Sequence, residues 1–291
     1  MYKQHVKSIK KNTITSNIIV PIVISAIIIM ILNSTFALGL DLILKETNSD
    51  SVTSLSSMIS MILSVVIGAI LIKKVSSWSW FNLGWHKKNF FPSYFVGAII
   101  GVLAITIVFI INLLLKSIEV SYVFTSSALV PFLISFIFFL FQGTYEELIF
   151  RSYLMPFFSR KIGDIASLII TSLMFAALHV FNDNFSAMGF INLIIFGLVF
   201  GSAYLKTGSL WIVGATHTFW NFFLGPVFGS NVSGVSQSNT ILLSKLVGNI
   251  TILNGGNYGL EGSIVASVIG IILILIFLKG YKFSSSKEYQ K

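Results

Sequence analysis

Apolar residues dominate the chain in eight long runs separated by short polar segments. The runs cover about 16–34, 53–72, 93–115, 128–150, 164–181, 187–205, 208–227 and 261–279. Each is close to the roughly 20 apolar residues that an α-helix needs to cross a bilayer. The pattern therefore predicts an all-α fold, a polytopic membrane bundle of about eight transmembrane helices.

The composition agrees with this prediction and excludes several classes of protein. Of the 291 residues, 55% are hydrophobic and only 10% are charged, and the mean hydropathy is +0.90. Soluble domains carry about a quarter charged residues, so a water-soluble globule is excluded. Since the chain has no Cys, it has no disulfide framework, no thiolate zinc site and no cysteine nucleophile.

The net charge of +9 lies in small lysine groups at the ends of the apolar runs. This placement is typical of juxtamembrane anchors and predicts a lipid bilayer, not a nucleic acid, as partner. We interpret the first run as an uncleaved helix. If the N-terminus is cytoplasmic, eight spans place fifteen cationic residues on the cytoplasmic side of the membrane and three on the outer side. Because cationic residues are enriched in cytoplasmic segments, both termini are predicted to be cytoplasmic. The inner set is Lys3, Lys7, Lys10, Lys11, Lys73, Lys74, Lys87, Lys88, Arg160, Lys161, Lys206, Lys279, Lys282, Lys287 and Lys291, and the outer set is Lys45, Lys116 and Lys245.

A long outer loop and two glycine motifs have structural interpretations. The outer segment Gly229–Leu260 is rich in Ser, Asn and Gly, which predicts a mobile loop, and Glu261 after it is interpreted as a helix-end cap. The small-xxx-small spacings Gly97–Gly101 and Gly197–Gly201 predict close helix packing.

Ionisable residues inside the spans are functional candidates because each costs about 2.5–3.5 kcal/mol to insert at a helix centre. They cluster in the fourth, fifth and seventh runs. In the fourth, Glu147 and Arg151 stand at i,i+4 and are predicted to form a self-contained ion pair. Glu146 points away from that pair and lacks a local counter-charge, which suits a general base.

The histidines of the spans are predicted to meet this carboxylate. In a hairpin that turns near Gly163, Glu147 and His179 are each 16 residues from the turn and therefore level with each other. In the seventh run His217 and Asn221 share one helix face at i,i+4. Such a set can activate water for hydrolysis, with or without a divalent metal.

Three ordered motifs carry a resemblance to a known family: Glu146-Glu147-x-x-x-Arg151, Phe175-x-x-x-His179 and His217-x-x-x-Asn221. With them the chain resembles the CAAX protease and bacteriocin-processing (CPBP or Abi) family of intramembrane proteases, and a bacterial member in particular. The resemblance places the family core, with helices 4–8, at about 128–280. Residues 1–127 would then hold transmembrane helices 1–3, and residues 281–291 would form a cytoplasmic tail.

The resemblance implies an intramembrane endopeptidase, of metalloprotease or glutamate type, with a conical cavity that opens towards the cytoplasm. By analogy, Glu146 and His179 would activate the attacking water, His217 and Asn221 would stabilise the oxyanion, and Glu147 and Arg151 would support the site. The family's use of a metal is open, and a zinc ion would be held by Glu146, His179 and His217. The implied substrate is a membrane-embedded or lipid-anchored peptide, in CAAX-type processing, bacteriocin or pheromone maturation, or bacteriocin self-immunity.

Two other functions compete with the protease. A non-catalytic scaffold or regulator of the same fold is the main alternative, although such relatives usually lose motif residues and here every motif residue is present. A proton-coupled transporter is the third, but the inverted repeats and broken helices typical of that class are not evident.

Overall fold

The computed structural model describes residues 1–9, 17, 19–44 and 54–290, and these form a helical bundle. In chain order the helices are Tyr2–Ser8 (α1), Ile19–Ile27 (α2), Asn33–Leu44 (α3), Leu55–Ser76 (α4), Phe90–Leu114 (α5), Leu129–Glu147 (α6), Met155–Ile162 (α7), Asp164–Leu178 (α8), Ala187–Thr207 (α9), Leu210–Phe222 (α10), Thr251–Asn254 (α11), Ile264–Leu278 (α12) and Ser286–Gln290 (α13). The π-helical segments Ile28–Leu32, Leu148–Leu154 and Phe223–Val227 continue α2, α6 and α10. The strands Ile118–Tyr122 (β1) and Leu242–Leu246 (β2) pair antiparallel.

The predicted helical membrane bundle is confirmed, and each apolar run contains a helix. Among the described residues, four helices are long and apolar enough to cross a bilayer: Leu55–Ser76, Lys87–Leu114, Ser126–Ile162 and Ala187–Thr207. Shorter apolar helices accompany them, among them Asp164–Leu178 and Ile264–Leu278. The protein is therefore a multi-pass membrane protein. Lys10, Lys11, Lys45 and Lys291 of the charge count lie outside the described residues.

The fourth helix is longer than its apolar run because it continues through Pro156 to Ile162. Pro156 lies directly after the π-helical segment Leu148–Leu154, and the irregular hydrogen bonding of that segment accommodates a residue without an N–H donor. The turn then falls at Gly163, as predicted from the sequence. The proposed division of the chain near residue 127 stays a prediction.

Helix α10 occupies the centre of the bundle, between α5 and α6, and nearly all of its side chains are buried. Two glycines allow this close approach: a Cβ at Gly97 would overlap the carbonyl oxygen of Ile212, and one at Gly101 that of Thr216. Gly197 lies in the same way against Ser172. The close packing predicted from both glycine motifs is confirmed.

A Gly101→Ala variant is expected to lower the free energy of unfolding by about 1–3 kcal/mol, because α5 must move away from a backbone atom that cannot yield. The measurement is the thermal unfolding midpoint in detergent. Gly39→Ala is the matched control, since a Cβ there would meet nothing within 4 Å. Equal midpoints for the two variants would contradict the packing argument.

Both chain termini lie at one end of the bundle, which we call the terminal end and define by residues 1–9, 73–88, 155–164, 204–210 and 279–290. Buried Asp164 accepts hydrogen bonds from Tyr281 Oη at 3.0 Å, Tyr289 Oη at 2.8 Å and the backbone N–H of Ser284 at 2.9 Å. At the same end Tyr2 Oη is 2.6 Å from Ser159 Oγ. These bonds fasten the N-terminal helix and the C-terminal tail to the turn at Gly163.

The opposite end, which we call the loop end, consists of residues 115–125, 180–186 and 229–250. Segment 229–250 is folded onto the bundle: β2 pairs with β1, and the Ser233 and Gly234 carbonyls accept hydrogen bonds from Asn182 at 3.0 Å and Asn184 at 2.8 Å. The prediction of a mobile loop was therefore wrong for this part. These bonds join residues about 50 positions apart, which composition alone does not reveal.

Candidate active site

The residues predicted to carry chemistry line one cavity of about 290 Å³. Glu146 comes from the last turn of α6, His179 from the residue that ends α8, and His217 and Asn221 from the buried face of α10. The hairpin at Gly163 and the central position of α10 bring the three helices to the same level. The sequence-predicted residues thus share one site.

Glu146 presents one carboxylate oxygen to both imidazoles. Its Oε2 is 4.0 Å from His179 Nε2 and 3.9 Å from His217 Nε2. Its Oε1 accepts a hydrogen bond from Gln142 Nε2 at 2.5 Å. Oε2 is buried and has no hydrogen-bond partner among the described residues, so it is the atom that is free to hold a small polar ligand.

Neighbouring acceptors fix the protons on both imidazoles. His179 Nδ1 lies 2.9 Å from the carbonyl oxygen of Phe175, and His217 Nδ1 lies 3.0 Å from Glu147 Oε1. A carbonyl or carboxylate oxygen only accepts, so each Nδ1 donates its proton. Each Nε2 atom therefore faces the cavity and Glu146.

Glu147 and Arg151 form the predicted ion pair, at 3.2 Å, and both side chains are completely buried. The prediction that this pair is self-contained was wrong, because Glu147 also accepts from His217 and Arg151 donates to the carbonyl oxygen of Gly197 at 2.9 Å. The guanidinium also lies 4.7 Å from the centre of the Phe175 ring. The pair therefore connects α6, α9 and α10 and orients an imidazole of the site.

Asn221 is linked to the carboxylate through a residue that the sequence analysis missed. Its Nδ2 donates to Gln142 Oε1 at 3.0 Å, and the same Gln142 amide donates to Glu146. Gln142 precedes Glu146 by one helical turn, and this i,i+4 spacing was the available signal. The chain Asn221–Gln142–Glu146 fixes the orientation of all three side chains.

Glu261 was predicted to be a helix-end cap, and that prediction was wrong. Ser263 caps α12, since its hydroxyl accepts from the backbone N–H of Ala266. The buried Glu261 carboxylate instead accepts from Trp220 Nε1 at 3.3 Å and from the backbone N–H of Ser233. Glu261 thus holds a cavity-lining residue of the loop end beside α10, a contact that no local pattern encodes.

Among the described residues, the cavity extends towards the loop end. From Glu146 its walls continue along α6 to Phe138 and reach Asn182 and Gln237. In the opposite direction no residue of this helix beyond Glu146 lines the cavity, and every side chain from Leu148 to Phe158 is buried. The sequence predicts cytoplasmic termini, and the family resemblance implies a cavity that opens towards the cytoplasm. Because the cavity extends away from the end that holds the termini, only one of these two expectations can be correct.

The side chains proposed as metal ligands are too widely spaced to hold an ion as they stand. The 4.0 and 3.9 Å separations from Glu146 Oε2 to the two Nε2 atoms exceed the roughly 3.4 Å edge of a tetrahedral zinc site. Within the part of the chain that the structure describes, no group of three His, Asp or Glu side chains has the spacing of a metal site. Zinc would require these side chains to close in.

A comparison with known families supports one function. Residues 126–223, about a third of the chain, match the family described as Rce1-like, type II CAAX prenyl endopeptidase. The matched segment contains the four cavity residues and the ion pair. No curated protein and no solved structure matches the chain.

Proposed function

We propose that the chain is a member of the CAAX protease family, which residues 126–223 match, and that it hydrolyses a peptide bond of a membrane-embedded or lipid-anchored peptide with water that Glu146 activates. The match over residues 126–223 supports a CAAX-type intramembrane endopeptidase in general. The residue roles, the substrate and the cytoplasmic position of both termini belong to this proposal. Its candidate settings are CAAX-type processing, bacteriocin or pheromone maturation, and self-immunity.

The observation that carries the proposal is the unpartnered Oε2 atom of Glu146, which faces two imidazole nitrogens in a buried cavity. A water molecule held there would donate one proton to Oε2 and the other to His179 Nε2. Its oxygen would then have a free lone pair for attack on a carbonyl carbon. Positioned bases of this kind contribute about 10²–10⁴-fold to a rate.

The same cavity also supplies hydrogen-bond donors. Asn221 uses one N–H on Gln142 and has a second, and a protonated His217 would donate from Nε2 while Glu147 neutralises its charge. Both donors would bind the oxyanion that forms when water adds to the carbonyl. As the intermediate collapses, the C–N bond breaks and Glu146 passes the water proton to the leaving nitrogen. A divalent metal would be held by Glu146, His179 and His217 only after they close in, and the proposed hydrolysis does not use one.

The proposal predicts that a His179→Ala variant accumulates its uncleaved substrate in the membrane. We would compare membranes from cells that express wild type, His179→Ala or His86→Ala, and profile small membrane peptides by mass spectrometry at matched protein levels. His86 is the control because it is also a partly buried histidine but lies at the terminal end, 3.2 Å from the carbonyl oxygen of Gly208.

A peptide that accumulates only with His179→Ala would identify the substrate. Unchanged peptide profiles, together with a cellular phenotype that is lost on deletion but kept in His179→Ala, would reject hydrolysis in favour of a scaffold or regulator of the same fold.

A further inference from the structure

The two ends of the bundle differ sharply in charge. Twelve lysines and arginines of the described residues lie at the terminal end, against two at the loop end. The terminal-end set is Lys3, Lys7, Lys73, Lys74, Lys87, Lys88, Arg160, Lys161, Lys206, Lys279, Lys282 and Lys287, and the loop-end set is Lys116 and Lys245. Contacts fix members of the first set there: Lys3 lies over the Tyr281 ring, and Arg160 donates to the carbonyl oxygens of Val6 and Ile9.

An excess of this size orients a membrane protein, because cationic segments close to the spans are retained in the cytoplasm. The terminal end is therefore the cytoplasmic end. The opposite orientation would place twelve cationic residues outside and leave only two to face the anionic inner leaflet.

The route into the cavity runs to the other end. Towards the cytoplasm the helix from Leu148 to Phe158 is completely packed, and Arg151, Tyr153 and Tyr204 are among the largest fully buried side chains of the described residues. Towards the loop end the cavity passes Phe138, Asn182 and Gln237. Within the part of the chain that the structure describes, a peptide can therefore approach Glu146 from the loop end and not from the terminal end.

We infer that the active site is accessible from the outer face of the membrane, and that its substrate is a peptide segment that enters the bundle from the extracytoplasmic side. That the peptide is a substrate rests on the proposed function, whereas the direction from which the cavity is reached does not. The cavity wall carries Phe138, Phe139, Leu178, Val232 and Val235 around the polar centre. Apolar residues beside the scissile bond fit these walls, so the expected substrate is an exported or membrane-spanning peptide whose outer part is apolar.

The absence of cysteine from the chain permits a clean topology test, because a single introduced thiol is the only one present. Ser236→Cys places it at the loop end, between the cavity residues Val235 and Gln237, and Ser285→Cys places it at the terminal end. Both serines are exposed, so the two variants are a matched pair. A membrane-impermeant maleimide is added to intact cells, and again after permeabilisation.

We expect Ser236→Cys to be labelled in intact cells at least tenfold more than Ser285→Cys, with equal labelling after permeabilisation. Preferential labelling of Ser285→Cys in intact cells, or equal labelling of the two, would overturn the inference. So would protection of both thiols until the membrane is opened.

Access is tested separately with a bulky impermeant maleimide. Modification of Ser236→Cys from outside is expected to reduce processing of the peptide that accumulates in His179→Ala membranes, whereas treatment of cells with Ser285→Cys leaves processing unchanged. Unaltered processing after full modification of Ser236→Cys would overturn entry from the outer face.

The labelling experiment is repeated in a Glu146→Gln background, so that the membrane orientation is measured without cleavage. Outer labelling combined with persistent cleavage in that background would reject the proposed function and leave the orientation intact.

Discussion

A Glu146→Gln variant is expected to fold like the wild-type protein and to hydrolyse its peptide about 10²–10⁴-fold more slowly. Glutamine preserves the volume of the side chain and can still bond to Gln142, but its amide cannot take a proton from water. The purified protein in detergent or bilayer discs would be assayed with the peptide that accumulates in cells, and the thermal unfolding midpoint would be measured on the same preparation.

Glu119→Gln is the matched control, since that carboxylate is exposed on β1 at the loop end, away from the cavity. Activity of Glu146→Gln within a few-fold of the control would contradict the role of the carboxylate. A chelator is included in both assays. The spacing of Glu146, His179 and His217 predicts that activity persists, and activity that is lost and then restored by zinc would show that these side chains close around a metal.

An Arg151→Met variant is expected to lose about 3–5 kcal/mol of stability, because it removes the guanidinium from the buried carboxylate of Glu147 and leaves only the His217 imidazole beside it. Both side chains are 0% exposed, so water cannot compensate the charge. The variant also loses the hydrogen bond from Arg151 to the Gly197 carbonyl, which joins α6 to α9. The measurement is the free energy of unfolding in a mixed detergent titration, at constant lipid.

The other arginine of the chain supplies the control for this prediction. Arg160 is only half-buried and donates to backbone carbonyls of the N-terminal segment, so Arg160→Met is expected to cost much less. A double variant, Glu147→Leu with Arg151→Met, removes both charges and is expected to recover a large part of the loss. If Arg151→Met and Arg160→Met were equally stable, the buried pair would not hold these helices together.

The adjacent carboxylates show why a motif alone does not assign roles. Glu146 and Glu147 are neighbours in sequence, yet 19% of the Glu146 side chain is exposed to the cavity while Glu147 is enclosed. Helical spacing separates them onto different faces and predicts the pair of Glu147 with Arg151. It did not reveal the bond from Glu147 to His217, because those residues are 70 positions apart and meet only through the packing of α6 on α10.

The sequence by itself determined the helices, their turns and the shared depth of the polar residues, because hydrophobic periodicity and helix length are local properties of the chain. It also determined which ends carry the cations. Only the tertiary structure decided that Gln142 connects Asn221 to Glu146, that Glu261 holds the loop end, and that the cavity opens away from both termini. These features depend on how helices rotate and cross against one another, and that choice is made by long-range packing, such as the close contact of Gly101 with Thr216.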